Sequence, residues 1–188
     1  HADIKDKDQT VFVPGIKTTA TDKIDSGKDL NGNVKQTIVD KVEYKSLYPG
    51  KEYTIKGTLM DKRSGKAILD NGKEVTAEKT FKAEKENGFV ELEFTFNASA
   101  LKGETIVVFE KLYEDGKELA IHTDINDVDQ SIFVPRVKTS ASFDDGNKNA
   151  KPSEKMTVTD VFSFKNLIKG QKYILKGELV DKATGKAI

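Results

Sequence analysis

Apolar and polar residues alternate with a period of two through TIVDKVEY (37–44), EYTIKGTLMD (52–61), GFVELEFTF (88–96) and ETIVVFEKLY (104–113). Alternation of that kind places successive side chains on opposite faces, so each stretch predicts a half-buried β-strand. Between such stretches lie KRSGK, DNGK and YEDGKE. NG and DG dipeptides are favoured in tight hairpins, because both central residues need positive φ. No segment sustains a helical period; NASALKG (97–103) predicts one short turn. Many short strands at regular spacing predict an all-β fold made of tandem immunoglobulin-like β-sandwich domains.

Several polar residues fall in the apolar phase. Asp40 shares its face with Ile38, Val42 and Tyr44, and Glu110 shares its face with Ile106, Val108 and Leu112. Thr18 falls in phase with Ile16 and Ala20, while Lys17 and Thr19 point the other way. Gln130 falls in phase with Val128, Ile132 and Val134. Each has a plain reading when taken alone. A core threonine satisfies its hydroxyl on the backbone, a glutamine near a strand end is solvated, and an inward carboxylate guards a sheet edge. A lone buried carboxylate is expensive, so four such groups in one domain are more simply explained if they meet. The phase of LAIHTD leaves the direction of His122 open.

The chain repeats itself. HADIKDKDQTVFVP (1–14) returns as HTDINDVDQSIFVP (122–135), and residues 1–20 match 122–141 at 12 of 20 positions. Residues 37–68 match 157–188 at 15 of 32 positions, with one residue lost between the blocks, which sets a repeat of about 120 residues. The expected division is the final strand of a preceding repeat (1–14), a complete β-sandwich repeat (15–135) and the N-terminal part of the following one (136–188). His1 and Gln9 in the first piece match His122 and Gln130, and Thr139 and Asp160 in the last piece match Thr18 and Asp40. Because the phrase at residue 1 starts mid-repeat, the chain is expected to be a fragment. Two readings of the cut ends stay open: head-to-tail pairing, with residues 1–14 of one molecule completing 136–188 of another, or trimming of an intact parent chain.

Composition narrows the function classes. The chain of 188 residues has 31 Lys and Arg against 31 Asp and Glu, so net charge supplies no attraction for nucleic acid. No apolar run is long enough to span a bilayer, and membrane insertion is not expected. There is no cysteine, so any covalent staple must be of another kind. The acidic stretches DSGKDLNGN and DINDVD match no known calcium loop and read as solvated turns. No cofactor or metal site is expected.

At the residues quoted above, the chain resembles a known family. "KTTA" (17–20), "TIVDKVEY", "VVFE" (107–110) and "HTDINDVDQ" (122–130) are similar to the VaFE-type stalk domains of Gram-positive surface adhesins and pilins, which form an intramolecular Thr–Gln ester. The resemblance implies that Thr18 is the nucleophile, Gln130 the acyl donor and Glu110 the essential acid, with Asp40 and His122 assisting. It also implies an extracellular, cell-wall-anchored protein whose partners are neighbouring repeats, host ligands being engaged by other domains. A threonine hydroxyl is a weak nucleophile and an amide a weak acceptor, so the reaction needs a base at the hydroxyl. His122 is the expected base. A protonated Glu110, or a proton shared with Asp40, is expected to donate to the carboxamide oxygen as charge develops there. The reaction happens once per domain and is not enzymatic turnover. Two alternatives stay open: a lysine isopeptide, against which the outward phase of Lys17 argues, and an uncrosslinked adhesive spacer.

Overall fold

The structure, a computed structural model, describes residues 6–32 and 35–188. In the complete repeat the strands are β1 (Gly15–Asp22), β2 (Gln36–Lys45), β3 (Glu52–Asp61), β4 (Lys66–Ala67), β5 (Leu69–Asp70), β6 (Lys73–Glu74), β7 (Thr76–Lys82), β8 (Gly88–Phe96), β9 (Thr105–Glu114), β10 (Lys117–His122) and β11 (Ser131–Phe133). Strands β12 (Arg136–Phe143) and β13 (Val158–Lys165) belong to the next repeat. One sheet runs β1-β2-β8. The other runs β10-β9-β3-β4, with β7 also on β3 and β11 also on β9. All of these pairings are antiparallel.

The period-two pattern becomes the sandwich core. Ile38, Val42, Leu92 and Phe94 point inward from the first sheet, and Ile55, Leu59, Ile106 and Leu112 from the second. Burying a side chain of this size contributes about 1.5–3 kcal/mol. The hairpin turns use the residues that their backbone requires. Asp115 and Gly116 between β9 and β10 have φ of 48° and 78°, and Asn71 and Gly72 between β5 and β6 have 51° and 77°. NASALKG holds a single 3-10 turn, Ser99–Leu101.

Strand β9 positions the site. On one side it pairs with β3 along its length. On the other, β10 covers residues up to the His122–Glu110 pair, and β11 covers Thr105–Val107. The chain leaves β9 between these two strands, over residues 123–130, and returns at Gln130, whose carbonyl accepts the Val108 N–H at 3.3 Å. Only from Ser131 does the segment become a strand. Val128 is therefore 73% exposed and does not share an inward face with Gln130, contrary to the alternation of VDQSIFV.

The next repeat begins in the same way. The β12–β13 register sets Thr139 against Phe162 and Ala141 against Asp160, as β1–β2 sets Thr18 against Val42 and Ala20 against Asp40. The Tyr173 hydroxyl accepts the Ile168 N–H at 3.0 Å, as Tyr53 accepts that of Tyr48 at 2.9 Å. Residues 172–179 copy the sequence of β3 yet form no strand. β3 is held by β7 and β9, and strands corresponding to these do not occur among residues 136–188. Val134 and Pro135 alone separate β11 from β12, and the Asn166 side chain locks the junction. It donates to the Glu104 carbonyl at 2.6 Å and accepts from the Thr105 hydroxyl at 3.0 Å.

The opening phrase differs from its expectation of a final strand. Lys7–Gln9 form a 3-10 turn, and residues 10–14 form no strand, with Val11 and Val13 exposed. The equivalent residues 131–133 are a strand because the edge of β9 receives them.

Candidate functional site

Four polar side chains meet between the two sheets, and each is at most 1% exposed. Thr18 and Asp40 come from adjacent strands of the first sheet and Glu110 from β9 of the second. Gln130 closes the gap between β10 and β11. The Thr18 hydroxyl donates to Glu110 Oε2 at 3.1 Å. The Gln130 amide nitrogen lies against Thr18 Oγ1 and also donates to Asp40 Oδ1 at 3.2 Å. Hydroxyl, amide and both carboxyls thus form one connected cluster.

The protonation of that cluster follows from its geometry. Among the described residues, Asp40 Oδ2 and Glu110 Oε1 are buried without a hydrogen-bond partner. The two carboxyls adjoin each other, and a charge on Asp40 disfavours one on Glu110. Burial, the neighbouring Asp40 charge and the bond to Asp40 together push the Glu110 pKa up to about 10, against a weaker opposing pull from Thr18. Burial raises Asp40 as well, but the bonds from Glu110 and Gln130 and the charges of His122 and Lys28 work against it. At neutral pH Glu110 therefore carries a proton.

His122 stands across β9 from Glu110, yet its ring faces elsewhere. Nε2 bonds Asp127 Oδ2 at 2.7 Å, and both side chains are about one-fifth exposed. Burial acts to raise the Asp127 pKa, but the Asp129 N–H and the imidazole outweigh it, and Asp127 stays a carboxylate. The expectation that His122 receives the Thr18 proton differs from this arrangement, in which Glu110 takes the hydroxyl. Asp40 addresses the carboxamide nitrogen, whereas among the described residues Gln130 Oε1 has no donor.

Asp127 escaped the sequence reading, although its position was visible in the repeat. Asp127 Oδ1 accepts the Asp129 N–H at 2.7 Å, and the matching Asp6 Oδ1 accepts that of Asp8 at 2.9 Å. Ser131 Oγ bonds the Asp127 carbonyl at 2.6 Å, as Thr10 Oγ1 bonds that of Asp6 at 2.8 Å. The turn that presents Gln130 is therefore also built around Gln9. His1 lies outside the described residues. Thr139 and Asp160 are exposed, and among the described residues neither hydrogen-bonds a glutamate, histidine or glutamine. Lys17 is exposed, so its amine is turned away from the cluster. Among the described residues no group of three or more His, Cys, Asp or Glu is arranged to hold a metal ion.

No curated protein matches the chain. Among solved structures, a bacterial adhesin from Mobiluncus mulieris, containing intramolecular disulfide, isopeptide and ester bond cross-links, matches in two crystal forms. TM-scores are 0.54 and 0.53 at 17% and 18% identity, over 82% of this chain and 74% and 75% of the adhesin chain. At that identity the likeness is one of fold. A family model, the T-Q ester bond containing domain, matches residues 14–134 and again 135–188. Since those matches span nearly the whole sequence, the chain belongs to the family of T-Q ester bond containing domains.

Proposed function

We propose that the complete repeat joins Thr18 to Gln130 through an intramolecular ester and serves as a stalk repeat of a bacterial surface adhesin. The observation that carries this reading is the direct contact of Thr18 Oγ1 with the Gln130 carboxamide, in a dry pocket beside Asp40 and a protonated Glu110. Thr18 Oγ1 bonds Gln130 Cδ as the C–N bond breaks. The hydroxyl proton passes to Glu110 Oε2, and Glu110 hands its own proton from Oε1 to Asp40. Asp40, protonated by that transfer, delivers the proton to the departing nitrogen, which leaves as ammonia. The pair ends with one proton, as it began, so no external acid or base is consumed. Preorganised in a low-dielectric pocket, the four groups need little rearrangement to react. Water is excluded, which protects the ester from hydrolysis once it has formed.

The reaction consumes its own donor, so it is a single maturation event and not turnover. A bond between β1 and the segment entering β11 ties the first strand of the repeat to its last. Pulling force then runs through a covalent link to Val134 and Pro135 and into the next repeat, bypassing the sheets. That suits an extracellular shaft made of serial copies and attached to the cell wall. Intact mass and peptide mapping test the reading. The wild type should be lighter than its sequence by one ammonia, with the Thr18 and Gln130 peptides joined. Thr18→Ala should carry its full mass. A joint that survives in Thr18→Ala would transfer the bond to another nucleophile, and a full wild-type mass would leave an uncrosslinked spacer.

A further inference from the structure

The loop after β1 carries a lysine that the chemistry above does not use. Lys28 sits in a DSGKDL turn of the kind that is ordinarily solvated. Here its ammonium folds back, half-buried, and donates to the Ala20 carbonyl and to the Asp129 carbonyl, each at 2.5 Å. Ala20 is two residues beyond Thr18 on the same inward face, and Asp129 immediately precedes Gln130. The Asp129 carbonyl also accepts the Ala20 N–H at 3.0 Å. The Lys28 carbonyl in turn accepts the Phe133 N–H at 2.7 Å, and Asp29 bridges Phe133. One residue thus grips the Gln130 segment on both sides of the glutamine, by its side chain before it and by its backbone after it.

We propose that Lys28 is a positioning residue for ester formation, a latch that seats the Gln130 segment against the Thr18 strand. This inference rests on the ester reading above. The next repeat supplies an independent observation. Lys148, at the matching place once the one-residue deletion is allowed for, bonds the carbonyl of Ala141, the counterpart of Ala20. It also lies 3.3 Å from the Ser140 hydroxyl. The lysine adopts this pose on the nucleophile strand with no glutamine segment present, as a preformed receiver would. A primary ammonium suits the role, since it has three donors and the two carbonyls use two of them. The burial that lowers its pKa is opposed by Asp129, Asp127 and Asp40 nearby.

The test follows ammonia loss by intact mass in full-length chains made by cell-free synthesis, sampled from completion of synthesis onward. Wild type, Lys28→Met and Lys28→Arg are compared at a temperature well below every variant's melting midpoint. The midpoints are measured in the Thr18→Ala background, where no ester forms. Lys28→Met keeps the length of the side chain and removes the donors, and ester formation should slow by about 10- to 100-fold, the scale of a misplaced reacting group. Lys28→Arg restores donors to both carbonyls and should recover most of the rate. If Lys28→Met crosslinks as fast as wild type, or if arginine fails to rescue a chain that is folded, the latch is wrong. A wild type that keeps its ammonia overturns the ester reading and the latch together.

Discussion

Replacing Thr18 by alanine separates what the ester contributes from what the pocket contributes. Thr18 and Gln130 are 112 positions apart. In the chain-entropy model, closing a loop of about 100 residues contributes roughly 4.7 kcal/mol. The substitution also leaves Glu110 Oε2 without its hydroxyl donor, a local penalty of about 1–3 kcal/mol. For a repeat of this size, about 4 °C of melting temperature corresponds to 1 kcal/mol, so the ester alone accounts for about 20 °C. A double-mutant cycle isolates that share. Glu110→Gln keeps Thr18 and Gln130 but removes the proton carrier, so it too should carry its full mass. In that background Thr18→Ala has no ester to lose, and only the local penalty remains. Calorimetry of the four proteins, with intact mass on each, reads the coupling directly. If Thr18→Ala lowers the melting temperature by the same few degrees in both backgrounds, covalent closure is not what holds the first and last strands.

Three other outcomes follow from the same geometry. In Thr18→Ala, Glu110 keeps a proton that an unfolded chain releases near its ordinary value of 4.5, because its folded pKa is about 10. Its stabilising effect is complete below the unfolded value and is lost as pH rises towards 10, so denaturant midpoints should fall across that window. Adding Glu110→Gln should flatten the curve, and an unchanged slope would place the titration elsewhere. Asp127→Asn leaves His122 bonded to a neutral partner. If the pair acts on the cluster through charge, Asp127→Asn and His122→Ala should slow ammonia loss by similar factors in a mass time course, short of the full block by Glu110→Gln. Gly57 faces Glu110 across the β3–β9 ladder, and a Cβ there would lie 2.5 Å from Phe94 Cζ and 2.9 Å from Leu92 Cδ1. Gly57→Ala should therefore cost about 1–3 kcal/mol by overpacking, measured in the uncrosslinked background to keep the ester from masking it.

The sandwich was legible because its strands obey one rule at a time. Period-two alternation made Asp40, Glu110 and Thr18 stand out as polar residues on an apolar face, and each is buried there. The rule failed where backbone hydrogen bonding takes over from alternation. Val128 and Gln130 share a phase on paper, but residues 123–130 turn on the Asp127 side chain, so one points out and the other in. Residues 172–179 show the reverse: good strand alternation without the neighbours that make a strand. Burial phase also says nothing about which atom of a side chain meets which. A histidine is a chemically reasonable acceptor for the Thr18 proton, and only the three-dimensional arrangement gives that hydroxyl to Glu110 and the histidine to Asp127.

Lys28 marks the boundary of such reasoning most clearly. A lysine in a Gly- and Asp-rich turn has every compositional reason to be solvated, and its two acceptors are main-chain carbonyls that no residue type reveals. Its place in the repeat could have been noticed, since Lys148 recurs, but recurrence alone follows from duplication. What distinguishes a retained contact from an inherited residue is the bond itself, made in both copies to the carbonyl of the same strand position. In a repeat protein, two copies at different stages of completion therefore act as an internal control. Features present in both belong to the first strands alone, and features present only in the complete copy depend on the strands that close it. By that criterion the lysine pose and the β1–β2 register need only the first strands. The dry four-residue cluster requires the returning glutamine, which bonds both Thr18 and Asp40.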